Sequence, residues 1–200
     1  TVPDGQAILD SLRETSRRSD VVLVTGGLGP TSDDITREAL AEVLGVEMIE
    51  DEAALRSLHE FFEKRNKPMV DANLKQAQNL VGADILPNNN GTAPGIYAPP
   101  QLGGDPKCAI FLLPGPPREL YPMFHDEVVP RLKALAGVDE IDHVQELKFV
   151  GIGESDFHDQ LDDELANIDG LEVGYCARLG EVDLRLIGSD AAIAQGRILT

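Results

Sequence analysis

The sequence predicts an α/β domain built on a mostly parallel sheet, followed by a small α+β unit, and three observations carry that reading. Val21-Val22-Leu23-Val24 is a short apolar run of the kind a strand buried on both faces shows; it breaks at Thr25-Gly26-Gly27 and leads into helical spacing at Ile35, Ala39, Leu40, Val43 and Leu44. Cys108 to Leu113 repeats the pattern, ending in Pro114-Gly115-Pro116-Pro117 before a second helical stretch. Between Ala136 and Asp139 the character changes: Asp139 to Asp190 holds 15 acidic residues against three basic ones, Lys148, Arg178 and Arg185. A boundary near 137 divides the chain into domains 1–136 and 137–200.

In chain order, Pro3 to Ser16 reads as a helix with Ala7, Ile8, Leu12 and Thr15 on one face, feeding the Val21 strand through Arg17-Arg18-Ser19-Asp20. Helix into strand is half a crossover unit, and a parallel sheet needs a strand before it. With a start at Thr1 and a stop at Thr200 inside a helical pattern, this predicts a fragment lacking its first strand. Gly45 stands where a left-handed helix cap belongs, and Val46 to Glu50 predicts a short strand. Asp51 caps an amphipathic helix that turns Leu55, Leu58, His59 and Phe62 inward and ends at Lys64-Arg65-Asn66-Lys67-Pro68; a shorter helix covers Asp71 to Leu80. Ala83 to Leu86 is a strand, 87–95 a loop of turn formers, and Ile96 to Ala98 with Cys108 to Leu113 a hairpin with a long flexible tip. Helices follow over Arg118 to Phe124 and Asp126 to Leu135. The second domain reads as strand Val144 to Val150, turn Gly151 to Gly153, helix Glu154 to Ala166, and strands Leu171 to Cys176 and Glu181 to Ile187.

Composition removes several functional classes. At 200 residues and 42% hydrophobic content the chain is long enough for an ample core plus a small second domain. A formal charge of -18 argues against nucleic-acid binding, which needs clustered Lys and Arg, so any phosphate bound is small and held locally. No apolar run approaches the roughly 18 residues of a membrane span and no signal peptide opens the chain, which predicts a cytoplasmic protein with no membrane partner. Cys108 and Cys176 lie far apart outside any Cys-x-x-Cys pair and read as reduced thiols. His59, His125, His143 and His158 lack metal-ligand spacing. There is no Walker lysine after Val24, no third glycine of a dinucleotide fingerprint, and no Gly-x-Ser-x-Gly elbow.

The 25–36 loop remains as the chemical candidate. A bare turn with a helix cap needs one acceptor, whereas this loop supplies Thr31, Ser32, Asp33 and Asp34 in succession, leaving one or more to orient a hydrated Mg2+ or a ribose hydroxyl. Its position, at the carboxyl end of a strand and the start of a helix, is where anions bind in open α/β sheets. Asn73-Leu74-Lys75-Gln76 reads from composition as a polar helix face. Gly91-Thr92-Ala93-Pro94-Gly95 and Pro114 to Pro117 are plain turns or, standing at strand junctions, walls of the same cleft.

Thr25-Gly-Gly-Leu-Gly-Pro-Thr-Ser-Asp-Asp-Ile-Thr36, Asn73-Leu-Lys-Gln-Ala77, Gly91-Thr-Ala-Pro-Gly95, Leu113-Pro-Gly-Pro-Pro-Arg-Glu-Leu120 and Gly151-Ile-Gly-Glu-Ser155 together resemble the competence/damage-inducible protein CinA family, in order along nearly the whole chain. The first motif is shared with the wider molybdopterin-binding superfamily. The resemblance implies a three-layer α/β/α molybdopterin-binding-like domain and then a KH-like one. It also implies metal-dependent hydrolysis of ADP-ribose, or a related dinucleotide, to AMP and a sugar phosphate, with a divalent metal such as Mg2+, K+ as a further candidate cation, and a homodimer. On that mapping Asp33 and Asp34 hold the metal or orient water, and Lys75 neutralises phosphate charge. Thr25, Gly26, Gly27, Gly29, Thr31 and Ser32 approach the pyrophosphate, while Asn73, Gln76, Gly91, Thr92, Gly95, Pro114, Gly115, Pro117 and Glu119 shape the nucleotide site. Alternatives are a molybdopterin- or nucleotide-binding module without turnover, and an oligomeric scaffold for the nicotinamide mononucleotide deamidase domain that full-length members add; nothing in these 200 residues corresponds to that domain.

Overall fold

The computed structural model describes residues 5–102, 108–138, 143–151, 164–178 and 180–199. They form two compact units, Thr1–Arg131 and Leu132–Thr200. The first is organised on a four-stranded sheet of β1 (Val21–Thr25), β6 (Ala109–Leu113), β5 (Gly95–Ala98) and β4 (Asp84–Leu86), in that spatial order. The sheet is mixed: β1 runs parallel to β6 with Val22 opposite Ile110 and Thr25 opposite Leu113, whereas β5 and β4 add antiparallel. The expected hairpin is the β5–β6 pair; residues 103–107 of its tip lie outside the described residues.

All five β6 residues are buried, because helices cover both faces of the sheet. On one face α1 (Gly5–Arg18) and α2 (Thr36–Leu44) pack Leu9, Leu12, Ala39 and Leu40 against Ile96, Ile110 and Leu112. On the other, Phe111 stacks on Tyr97 at 4.7 Å between ring centroids, Arg131 stands 5.6 Å over the Tyr97 ring, and Met123 fills the space above Gly95. Three layers result, as the resemblance implies.

Local chemistry sets the element ends. Gly45 caps α2 in the left-handed region at φ 66°, where its N–H satisfies a terminal carbonyl. The Asp51 carboxylate caps α3 (Glu52–Glu63) by accepting from the Ala53 and Ala54 amides, both at 2.9 Å. The helical run from Pro117 is α4 (Pro117–Met123), one π turn over Phe124–Val128, and α5 (Val129–Ala136). Pro130 has no N–H to give the carbonyl four residues back, and the widened turn directly before it accommodates that loss.

Several expectations need correction. Val21 to Val24 is not buried on both faces: Leu23 is 45% exposed, because β1 is an edge strand with no neighbour on its outer side among the described residues. The buried side of α1 is Leu9, Leu12 and Ser16, so Thr15 sits at its margin. The helix over Asp71 to Leu80 is a 3₁₀ helix, Asp71–Ala77, whose last expected residues instead form β3 (Gln78–Leu80), antiparallel to β2 (Met48–Glu50). His59 is exposed; Ala54 and Leu58 form the buried stripe of α3.

In the second unit β7 (His143–Val150), β9 (Glu181–Gly188) and β8 (Leu171–Arg178) form an antiparallel sheet in that order, backed by α6 (Asp190–Leu199). Val182, Leu184, Leu186, Leu165 and Ile193 make its core. The opposite face is polar: Lys148 bridges Glu181 and Asp183 at 3.0 and 3.2 Å, and Arg185 meets Glu146 at 2.8 Å. The expected helix over 154–166 falls on residues that, apart from 164–166, lie outside the described ones, as does His158. Cys108, buried, and Cys176, exposed, are free thiols.

Candidate active site at the glycine loop

The site is built where β1 and β6 end side by side. Their parallel register carries Gly26 next to the 114–116 turn, and the Gly26 N–H donates to the Leu113 carbonyl at 2.9 Å. Gly26 and Gly27 have φ of 90° and 70°, which side chains rarely adopt, and a Cβ on Gly27 would strike the Thr36 side chain. Thr36 closes the turn, its N–H donating to the Gly27 carbonyl at 3.3 Å and its hydroxyl to the Gly26 carbonyl at 3.1 Å.

Asp34 does not cap α2; Ile35 occupies the cap position and no side chain bonds there. Its Oδ2 instead accepts from the Thr31 N–H at 3.0 Å and from the Thr31 hydroxyl, closing the loop on itself. Burial pushes the Asp34 carboxyl upward. Bonds from the Thr31 hydroxyl and N–H and from the Gly29 N–H, with the charge of Lys75, outweigh that and hold it below the ordinary carboxylate value, so it is ionised at neutral pH. Lys75 itself is occupied: Nζ donates to the Asp34 carbonyl and to the Thr31 carbonyl at 3.4 Å, and pairs with Glu38 Oε1 at 2.9 Å. It ties the loop to the 3₁₀ helix.

A cleft of about 370 Å3 opens above this turn, walled by residues 26–30, Asp34, Gln76, Thr92 and Ala93, the 114–116 turn and Glu119. Glu119 is only 8% exposed, and its Oε2 accepts from Asn88 Nδ2 at 2.9 Å. The carboxylate lies against Gly91, where any side chain would displace it. Gln76 is positioned by a relay: the Val70 N–H donates to Asn73 Oδ1 at 3.2 Å, Asn73 Nδ2 to Gln76 Oε1 at 3.1 Å, and Gln76 Nε2 to the Thr92 hydroxyl at 2.9 Å. The carboxylates lining the cleft are those of Asp34 and Glu119, hard oxygen donors of the kind suited to a divalent cation. Among the described residues no group of three or more His, Cys, Asp and Glu side chains converges as a metal site.

The other sequence candidates lie around this cleft without lining it. Thr25, Ser32 and Asp33 border a separate depression of about 1010 Å3 beside α1 and the edge of β1, which also reaches Gly26, Gly27 and Asp34. Thr31 and Asn73 hold neighbours in place. Gly95 is a packing residue, since a Cβ there would meet Met123 Sδ at 2.6 Å and the Leu112 carbonyl oxygen at 2.8 Å. Pro117 is the first residue of α4.

Two residues with no sequence signal complete the site. Asn88 spans the loop, its Nδ2 also donating to the Ala93 carbonyl at 2.8 Å; nothing in the run Asn88-Asn89-Asn90 tells one amide from the next. Arg37 is fully buried, and its Nη2 donates to the Leu28 carbonyl at 2.8 Å while Nε and Nη1 have no protein partner. Burial draws its pKa down to about 10 against the opposing charges of Glu38 and Asp34, so it remains a cation at neutral pH under the glycine loop.

The comparisons agree with this architecture. The family described as "Probable molybdopterin binding domain" matches residues 1–134, and "Damage-inducible protein CinA KH domain" matches 144–199. The chain is 52% identical over 195 residues to a CinA-like protein of Akkermansia muciniphila, covering 98% of this chain and 46% of that one. It thus spans less than half of that relative's length. A crystal structure of a CinA protein of unknown function from Thermoplasma acidophilum superposes with a TM-score of 0.55 at 28% identity, over 66% of this chain and 73% of that one. No helix among the described residues is long and apolar enough to cross a membrane. The chain belongs to the probable molybdopterin binding domain family, and the match to that domain is followed by a match to the CinA KH domain.

Proposed function

We propose that the glycine-loop cleft binds the pyrophosphate of a nucleotide and hydrolyses it with a divalent cation, ADP-ribose giving AMP and ribose 5-phosphate. The observation that carries the reading is the arrangement of one cleft: a floor of Gly26, Gly27 and Gly29 backbone beside two carboxylates, Asp34 and Glu119, from separate elements. Glycines at these positions let the backbone approach phosphate oxygens closely. The donor set fits an ion of the Mg2+ type, which takes one or two carboxylates and fills its other positions with water and phosphate oxygens. Asp34 and Glu119 would hold it, and it would supply charge at the phosphorus and a more acidic bound water. Asp34, ionised and fixed by Thr31, keeps its geometry through the reaction; Gln76 and Thr92 orient the ligand with neutral hydrogen bonds.

The test is incubation with ADP-ribose and, in turn, Mg2+, Mn2+ and Co2+, with AMP as the readout. Metal-dependent AMP release is the expected result; none with any of the three metals contradicts hydrolysis. A second reading, binding without turnover, is favoured by the engagement of Lys75 with two carbonyls and Glu38 and by the lack of a Lys or Arg side chain among the described residues lining the cleft, at whose margin Arg118 pairs with Glu119 Oε1 at 3.6 Å. Calorimetric binding of ADP-ribose with no product would support that reading.

A further inference from the structure

We propose that a second cavity, of about 240 Å3 between α3 and the 87–94 loop, is the subsite for the base of the nucleotide, an inference that rests on the cleft taking the pyrophosphate. The cleft alone, at about 370 Å3, stands near the lower end of the roughly 300–1,000 Å3 of ligand pockets, and a dinucleotide extends well beyond its phosphates. Two cavities adjoin it. The depression along β1 is bordered by Ile8, Leu12, Val22 and Leu23, and the described residues lining it include no aromatic ring, side-chain amide or cation. The cavity beside α3 has all three, and Thr92 stands in both its wall and that of the cleft.

Its chemistry suits a flat heteroaromatic ring. The Arg65 guanidinium lies 3.5 Å from the centroid of the Phe61 ring, and its Nη1 donates to the Phe61 carbonyl at 3.4 Å, so a planar cation is held against a ring at the end of α3. Bases stack on guanidinium planes held in this way. Asn89 and Ser57 border the same space with an amide and a hydroxyl, the groups that read the edge of a base. Asn88, through its bonds to Ala93 and Glu119, fixes the strip of chain between the two cavities. A nucleotide lying across Gly91-Thr92 sets its phosphates on the glycine loop and its base on the Arg65 side.

The experiment titrates AMP and inorganic pyrophosphate, each with Mg2+, into the full chain and into Ser57→Trp and Arg65→Ala variants. Ser57 is exposed on α3, so tryptophan there fills the cavity without entering the core. Both variants are expected to weaken AMP by about tenfold or more, as loss of one stacked base does, while pyrophosphate affinity stays within about twofold. Unchanged AMP affinity, an equal fall for pyrophosphate, or no AMP binding by the parent chain would overturn the subsite. The two proposals fail separately: a chain that releases no AMP from ADP-ribose but loses AMP binding in Ser57→Trp keeps the subsite and refutes hydrolysis. Hydrolysis of ADP-ribose with an unaltered KM in Ser57→Trp does the reverse.

Discussion

Asp33 and Asp34 are neighbours in sequence, and the turn between Thr31 and Ile35 sends them to different places. Asp34 folds back on Thr31 and faces the cleft, whereas Asp33 is exposed and borders only the depression along β1. Because the Asp34 carboxyl titrates below the ordinary carboxylate value, it contributes stability that is present above that ordinary value and is lost as pH falls through the folded pKa. Urea midpoints at pH 5 and pH 3 should therefore fall less in Asp34→Asn than in the parent chain. Arg37 gives a second residue-scale prediction. Arg37→Met removes the donor to Leu28, a loss of about 1 kcal/mol, and also removes two nitrogen donors, Nε and Nη1, without protein partners, an offsetting gain of similar size. Unfolding free energy should move by less than about 2 kcal/mol, and pyrophosphate titration should show affinity falling several-fold as the loop loses its anchor.

At the scale of elements, the turns carry the geometry. Gly27→Ala forces a side chain into positive φ and against Thr36, and denaturant unfolding should show a loss of about 2 kcal/mol or more together with lost phosphate binding. Asp51→Ala, which removes the cap of α3, should cost about 1 kcal/mol and leave pyrophosphate binding unchanged. These caps and turns were legible in the sequence because their signals are local: Gly45, Asp51 and the Gly26-Gly27 break each act within a few residues. The strand ending at Leu80 was not, since Gln78–Leu80 owes its conformation to pairing with Met48–Glu50, nearly thirty residues earlier. The exposure of Leu23 was hidden for the same reason, as it depends on which strands flank β1.

For the whole molecule, each unit has a core of its own, Leu9 to Leu112 in the first and Leu165 to Ile193 in the second. Residues 138–200 expressed alone should give a sheet-type circular dichroism spectrum with a cooperative melt. The motifs in order identified the family, and the structure gathers Gly26, Gly27, Gly29, Asp34, Gln76, Thr92, Pro114, Gly115 and Glu119 into one cleft. It separates from them Gly95, whose glycine serves packing against Met123, and Lys75, whose charge is spent on carbonyls and Glu38. Residue types at motif positions do not reveal side-chain direction, and direction decides between these roles. The most direct test of the central claim is the rate of AMP release from ADP-ribose with Mg2+ in Asp34→Asn and Asp33→Asn variants. The cleft geometry predicts a fall of about 100-fold or more for Asp34→Asn, as for loss of a group acting on the reacting phosphate, and a change of no more than about threefold for Asp33→Asn. Equal losses in both, or full activity in Asp34→Asn, would contradict it.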